Sequence, residues 1–337
     1  MRRGLVCVLL LLQILPLSGC WNYSELDDRA IIAGAAIDRM ESGEIRLTVE
    51  TVAFHEGQST GPKSELLSGV GGSVPEAIFH IMNQSQKELY WHHAALLVLG
   101  ESYAAEGIGD LLDYILKEHE MRLTLTLAVS RLETAAEVLG LECHGAEIRS
   151  FGIAGIIEEQ DRQGQTVRAD AYRVLDTRLG GERDLVLPQI GSVRQGKKNA
   201  VNVSGCGVFS GDHLAGWLPA EETRFLRLFG AGLDEVEVDL MTQEGPVSLR
   251  VRDWTVRERR SADGETGILE TKAEYELLSG KSRIREAVIA AAMDYYVNQN
   301  LSALRHDLHE MQAKLLDWED GGAWLVDIRL RRRAAQD

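Results

Sequence analysis

The sequence predicts an α+β protein of more than one domain, with mixed or antiparallel sheets flanked by helices, behind a lipoprotein signal peptide. Three observations predict it. Stretches with the two-residue alternation of strands, such as Ile45, Leu47, Val49 and Thr51, are interleaved with stretches of helical period, such as Leu301, Leu304, Leu308, Met311 and Leu315. A composition of 45% hydrophobic and 26% charged residues is that of a globular chain and excludes wholesale disorder. The first twenty residues form an export signal that ends in a cysteine.

That signal begins with Arg2 and Arg3, continues as an apolar run from Gly4 to Leu17, and closes with Ser18, Gly19 and Cys20. The run is too short to span a bilayer core, which takes about 20 apolar residues in a helix. Leu17-Ser18-Gly19-Cys20 resembles the lipobox of bacterial lipoproteins, in which the cysteine sulfur receives a diacylglycerol before cleavage ahead of it. Cys20 is therefore the expected lipidation site, and residues 1–19 the signal peptide. Two acyl chains bury roughly 30 methylenes at about 0.8 kcal/mol each, so such an anchor is permanent. The mature chain is expected outside the cytoplasmic membrane, tethered by its N-terminus.

Charge bounds the partners. With Arg2 and Arg3 gone from the 36 basic residues, set against 52 acidic ones, the balance shifts from −16 to about −18. A surface this acidic argues against nucleic acid, which needs a basic footprint. It also argues against the body lying flat on anionic lipid. Once Cys7 leaves with the signal and Cys20 carries lipid, Cys143 and Cys206 remain. A disulfide between them is permitted outside the cell, but two free thiols are the preferred reading. No second hydrophobic run is long enough for a transmembrane helix.

Trp21 to Arg29 is polar and joins the lipid to the fold without a spacer. Ala30 to Asp38 reads as a buried strand, paired across a turn at Glu41-Ser42-Gly43 with the alternating strand from Ile45. His55 to Gly72, rich in Gly and Ser, reads as a long loop. Ser73-Val74-Pro75-Glu76 starts a helix with a cap, an early proline and a capping-box glutamate. Ala94 to Leu99 is continuously apolar, as in a strand covered on both faces. Helices at Ile108 to Lys117 and Glu133 to Leu139 bracket a strand at Leu123 to Val129. Glu158 to Arg183 is polar with helical character. Leu185 to Ile190 holds Pro188, which suits an edge strand.

The polar break at Gln195 to Asn199 is placed as the boundary between domains of residues 20–198 and 199–337. Beyond it, Val201 to Phe209 and Leu214 to Leu218 form a hairpin around Ser210-Gly211-Asp212, and Pro219 to Phe229 a helix. Val247 to Val256 pairs with Leu269 to Leu278. A long helix occupies Arg283 to Leu316, and Trp324 to Arg331 closes a sheet.

Four stretches carry a family resemblance. The first is Gly19-Cys20-Trp21-Asn22-Tyr23-Ser24-Glu25-Leu26 followed by the strand that ends in Asp38. The second runs from Trp91 to Arg122, with a histidine before a hydrophobic strand, Gly100-Glu101 and Ala105-Glu106-Gly107. The third joins Gly205-Cys206-Gly207-Val208-Phe209, Leu214-Ala215-Gly216-Trp217-Leu218 and Glu221-Glu222-Thr223. The fourth is the terminal helix, Trp318 and the last strand. Together they resemble the Ger(x)C family, the lipoprotein subunits of nutrient germinant receptors in endospore-forming bacteria, with Cys206 where that family usually has a small residue. The resemblance implies an N-terminal and a C-terminal germination-protein domain, no catalytic activity and no cofactor. It implies assembly with two membrane-embedded subunits, one multi-span and one permease-like, in the inner membrane of the spore. It implies a role in initiating germination in response to nutrients.

No residue pattern offers competing chemistry of comparable weight. Adjacent histidines on a strand point to opposite faces, so His92 and His93 cannot share one metal, and a structural role fits better. His306 and His309 share a helix face but have no third ligand nearby in sequence. Gly69-Val70-Gly71-Gly72-Ser73 before a helix is only loosely like a phosphate loop, lacking the lysine and a preceding strand. No nucleophile elbow or His-Glu-x-x-His is present. The expectation is no catalytic residue and no metal site. Two other classes are a substrate-binding lipoprotein of a transporter, which needs two doubly wound lobes, and a lipid-anchored hydrolase, which needs a nucleophile.

Overall fold

The structure, a computed structural model, describes residues 29–53, 63–230, 233, 235–260, 266–280, 284–316 and 323–333. Two sheets organise it, a nine-stranded one and a four-stranded one. In the first, β1 (Arg29–Arg39) and β2 (Ile45–Ala53) form the expected hairpin, with Ile37 opposite Leu47. β3 (Lys63–Gly71) lies antiparallel outside β2. The loop expected from His55 to Gly72 is thus corrected: its first part falls outside the described residues and the rest is an edge strand. The apolar alternation is missing there because two inward positions are glycines. A Cβ on Gly69 would lie 2.4 Å from the Ala77 carbonyl oxygen, so the helix packs on bare backbone.

That helix, α1 (Val74–Ser85), is capped by Ser73 and buries Ala77 and Ile81. β4 (Glu88–Tyr90) pairs with the start of β1, and β5 (Leu96–Leu99) continues beside β1 in parallel. α2 (Glu101–Glu106) and α3 (Gly109–Lys117) cross over to β6 (Thr126–Ser130), again parallel. A 3-10 turn at Ala136–Gly140, α4 (Arg149–Arg162) and α5 (Ala171–Gly180) lead to β7 (Val186–Gln195), parallel to β6. β8 (Lys198–Ser210) and β9 (His213–Leu218) finish the sheet antiparallel, in the order β3-β2-β1-β5-β6-β7-β8-β9.

The sheet is covered on both faces, which explains the unbroken apolar run at Ala94 to Leu99. Leu97 and Leu99 pack with α1, α3 and α5, whereas Leu96 and Val98 pack with the 3-10 turn and α4. Burying each such side chain contributes about 1.5–3 kcal/mol.

One expectation about β7 is corrected. Pro188 does not mark an edge, because β7 lies between β6 and β8. The missing N–H is tolerated where the β7–β8 register shifts, between Pro188 and Ile190. The break at Gln195 to Asn199 is a hairpin turn, with Gln195 opposite Lys198, so the sheet runs through it. The change from one apolar cluster to the next falls later in β8, where Phe209 belongs to the first and Cys206 and Val208 to the second.

α6 (Ala220–Phe229) bridges to the four-stranded sheet. Its order is β10 (Glu235–Thr242), β11 (Gly245–Arg260), β12 (Thr266–Ser279) and β13 (Ala323–Arg332). β10 was not anticipated, although Val236, Val238 and Leu240 alternate and are buried. α7 (Glu286–Glu310) packs Ile289, Met293, Val297, Leu301, Leu304 and Leu308 into this sheet's core. It is also the crossover that makes β13 parallel to β12. Among the described residues no helix is long and apolar enough to cross a membrane.

Candidate functional site

Two buried carboxylates fix where the helices start. Glu50, on β2, is 0% exposed, and its two oxygens accept from the backbone N–H groups of Arg149 (2.9 Å) and Ser150 (2.7 Å) at the start of α4. Asp38, at the end of β1, accepts from Ala135 N–H (2.6 Å) and Ala136 N–H (3.1 Å), where the 3-10 turn begins. Burial raises the Asp38 pKa, while the two backbone bonds and Arg46 pull it down. Both carboxylates sit where unpaired N–H groups carry partial positive charge, so each satisfies donors that burial would otherwise orphan. The Asp38 that ends the hydrophobic strand is therefore a structural staple. Gly34 sets the closeness, since a Cβ there would lie 2.2 Å from Ser150 Oγ.

The seam between the two sheets is the second constellation. Asp184 accepts from Gly211 N–H (2.7 Å) and Lys314 N–H (2.6 Å), which ties the β8–β9 turn to the chain after α7. Arg178 on α5 reaches Asp113 (2.6 Å) on α3 and Asp212 (3.0 Å) in the same turn. The Arg131 guanidinium lies 4.6 Å over the Trp217 ring, and the Trp217 indole N–H donates to Glu101 at 3.4 Å. On α6 the buried Thr223 hydroxyl lies 3.4 Å from both Cys206 Sγ and the Leu218 carbonyl oxygen. Glu221 accepts from Tyr296 (2.6 Å) on α7 and from Arg224 (3.2 Å). Burial, and the Asp307 carboxylate on α7, push Glu222 up to about 7. α6 thus joins the two sheets, with Thr223 against β8 and β9 and Glu221 against α7.

The other candidates of the sequence fall as follows. His92 and His93 lie in a 3-10 turn, Trp91–His93, not on a strand as expected, because β4 ends at Tyr90 before β5 begins. His92 stacks on Tyr90 at 4.7 Å and His93 is exposed. His306 and His309 line an open cleft of about 720 Å³ beside Ser302, Arg305 and Lys314, with His306 Nε2 3.7 Å from Glu310. Among the described residues no group of three or more His, Cys, Asp or Glu is placed to hold a metal. A strand does precede the helix, against expectation, but Gly69, Val70 and Gly71 belong to that strand, β3, and Gly72 N–H already donates to Glu76 at 2.8 Å. Cys143 and Cys206 are unbridged, and burial pushes the Cys206 thiol up to about 12, far from a thiolate at neutral pH. Cys20, Trp318 and the acidic runs Glu25 to Asp28 and Asp317 to Asp320 lie outside the described residues.

Sequence reasoning missed Glu50, because no local signal marks it. Glu50 occupies the second face of an alternating strand, which is solvated in a two-layer fold and buried in this three-layer one.

Residues 22–192 match the family model of the spore germination protein N-terminal domain, half of the chain. The chain belongs to this spore germination family. Spore germination protein KC of Bacillus subtilis (strain 168) is 26% identical over 246 residues, 66% of this chain and 60% of that protein. Putative spore germination protein YfkR of the same strain is 25% identical over 270 residues, covering 73% and 66%. The match therefore spans about two thirds or less of these relatives' lengths. The crystal structure of the GerBC protein superposes on 89% of this chain and 97% of its own with a TM-score of 0.56 at 11% identity, a likeness of fold. The α+β, multi-domain architecture of the spore germination family is thus the architecture of this chain.

Proposed function

We propose that this chain is a non-enzymatic, lipid-anchored subunit of a spore nutrient germinant receptor. In this reading it is held by Cys20 on the outer face of the cytoplasmic membrane, which becomes the inner membrane of the spore. It assembles there with the multi-span and permease-like subunits and helps to initiate germination. Family membership over residues 22–192 carries the reading. The site geometry agrees with it: Glu50, Asp38, Asp184 and Arg178 serve to pin helices and sheets together. A rigid body made this way suits a scaffold that positions partners. Confinement by the anchor raises the effective concentration of those partners without adding a contact.

Affinity capture of the tagged full chain from detergent-solubilised spore membranes tests the proposal. Co-recovery of both membrane-embedded subunits is expected. Recovery of abundant chain with neither of them overturns it.

A further inference from the structure

Four of the large apolar side chains exposed on this chain gather at one edge of the nine-stranded sheet. They are Leu116 (52% exposed), Leu123 (45%), Tyr172 (59%) and Leu179 (71%). The edge is the one at which the parallel strands begin. Ala171 N–H and Tyr172 N–H donate to the carbonyls of Leu125 and Leu123, just before β6, so α5 starts there. Its far end is held by Arg178 to Asp212, in the turn between β8 and β9. That turn lies at the level of Leu185, since Phe209 N–H donates to the Leu185 carbonyl just before β7. α5 therefore runs across the lower edge of the sheet, from β6 toward β8. α3 lies beside it, joined by Arg178 to Asp113. Tyr172 and Leu179, seven apart, share one stripe of α5. Leu116 stands one turn beyond Asp113 on α3.

The chain enters the fold at the same edge. Arg29 is five residues below Gly34, which is level with Leu96 and Thr126. β1 and β6 are separated only by β5, about 10 Å. From Cys20 to Arg29 the chain spans at most about 30 Å, so a bilayer holding Cys20 lies within reach of this edge. The charge here also departs from that of the whole. The face is close to neutral: residues 168–183 carry Arg168, Arg173, Arg178 and Arg183 against Asp170, Asp176 and Glu182, and residues 109–123 carry Lys117 and Arg122 against Asp110, Asp113, Glu118 and Glu120, in a chain with 52 acidic and 36 basic residues. An anionic surface does not repel this face as it repels the rest.

We infer that the α3–α5 edge is the face that rests on the bilayer, with Leu116, Leu123, Tyr172 and Leu179 in the headgroup region. Aromatic and aliphatic side chains beside arginines are the residue types that settle at that depth. This inference rests on the proposed lipid anchor. It replaces the expectation that the whole acidic body stands off from the membrane. The competing patch, Met241 and Tyr295, lies toward the other end of α7, with Tyr295 about 24 Å along the helix from Met311 at the seam.

The test is photo-crosslinking of the full lipidated chain in vesicles of phosphatidylcholine and phosphatidylglycerol that contain a diazirine phospholipid, with mapping by mass spectrometry. Crosslinks within residues 116–123 and 172–179 are expected, at least tenfold above those at Met241 and Tyr295. Leu123→Asp with Leu179→Asp, both at exposed positions, should reduce the yield at Tyr172 about tenfold while the chain stays bound to the vesicles. Crosslinks confined to the residues next to Cys20, or richest at Met241 and Tyr295, overturn the inference. Mass spectrometry of the N-terminal peptide reports separately whether Cys20 carries lipid. If it does not, the same mapping is made with a hexahistidine tag replacing residues 1–20 on nickel-chelating lipid, and the same two outcomes decide.

Discussion

Glu50→Ala isolates the staple that joins the hairpin to α4. In the native protein both carboxylate oxygens are occupied, at 2.9 Å by Arg149 N–H and at 2.7 Å by Ser150 N–H, with no exposure to water. Alanine leaves two buried donors without acceptors, each costing about 1–3 kcal/mol. It also removes a negative charge from the positive end of a fourteen-residue helix, worth about 0.5–1 kcal/mol more. A loss of about 3–5 kcal/mol is therefore expected, large against the stability of an ordinary domain. Urea unfolding followed by circular dichroism measures it, and amide exchange locates it. Protection should fall first at the start of α4, at Arg149 and Ser150, while α7 keeps its protection. Glu44→Ala, on an exposed turn of the same hairpin, should stay within about 0.5 kcal/mol of the native chain. If Glu50→Ala costs less than about 1 kcal/mol and leaves α4 protected, the carboxylate is not what holds that helix and the reasoning fails.

Three further outcomes follow from the same geometry. Because burial and Asp307 hold the Glu222 carboxyl protonated up to about 7, the folded chain binds a proton that the unfolded one has released above 4.5, so stability is lost as pH rises between those values. Glu222→Gln should flatten that part of a thermal-unfolding profile, by about 1 kcal/mol once water around a half-buried group is allowed for. Cys20→Ala should abolish incorporation of a palmitate analogue, since only the thiolate accepts the diacylglycerol; undiminished label refutes the anchor. Alanine at His92, His93, His306 or His309 should leave germination intact wherever the protein accumulates, and a folded variant that loses both metal and function overturns this.

Much of the architecture was legible because its signals are local. Ser73 with Glu76 announced α1, Ser210-Gly211-Asp212 announced the last hairpin of the large sheet, and the spacing of Leu301, Leu304 and Leu308 announced α7. What was hidden depends on neighbours distant in sequence. β3 has glycine at inward positions because α1 needs room, so no apolar pattern exists for a sequence reading to find. Pro188 reads as an edge marker only until the register shift beside it is known. The parallel core β1-β5-β6-β7 follows from crossover connections, which no single segment encodes.

The candidate site divides along the same line. Asp38 was visible as the polar end of an apolar strand, but its role required Ala135 and Ala136, some hundred residues away. Glu50 gave no warning, since a glutamate in an alternating strand looks like the solvated face. Its burial follows from α4 covering that face, and α4 begins at Arg149 and Ser150, whose backbone N–H groups the carboxylate receives. Each feature explains the other: a helix can start there because a buried acid receives its first N–H groups, and the acid can be buried because the helix starts there. The same reciprocity acts at the seam, where Asp184 receives Gly211 N–H from the β8–β9 turn and Lys314 N–H from the chain after α7. The long-range organisation of this chain is therefore carried by carboxylates placed opposite backbone donors. In a chain so rich in acidic residues, those few are distinguished only by what folds onto them.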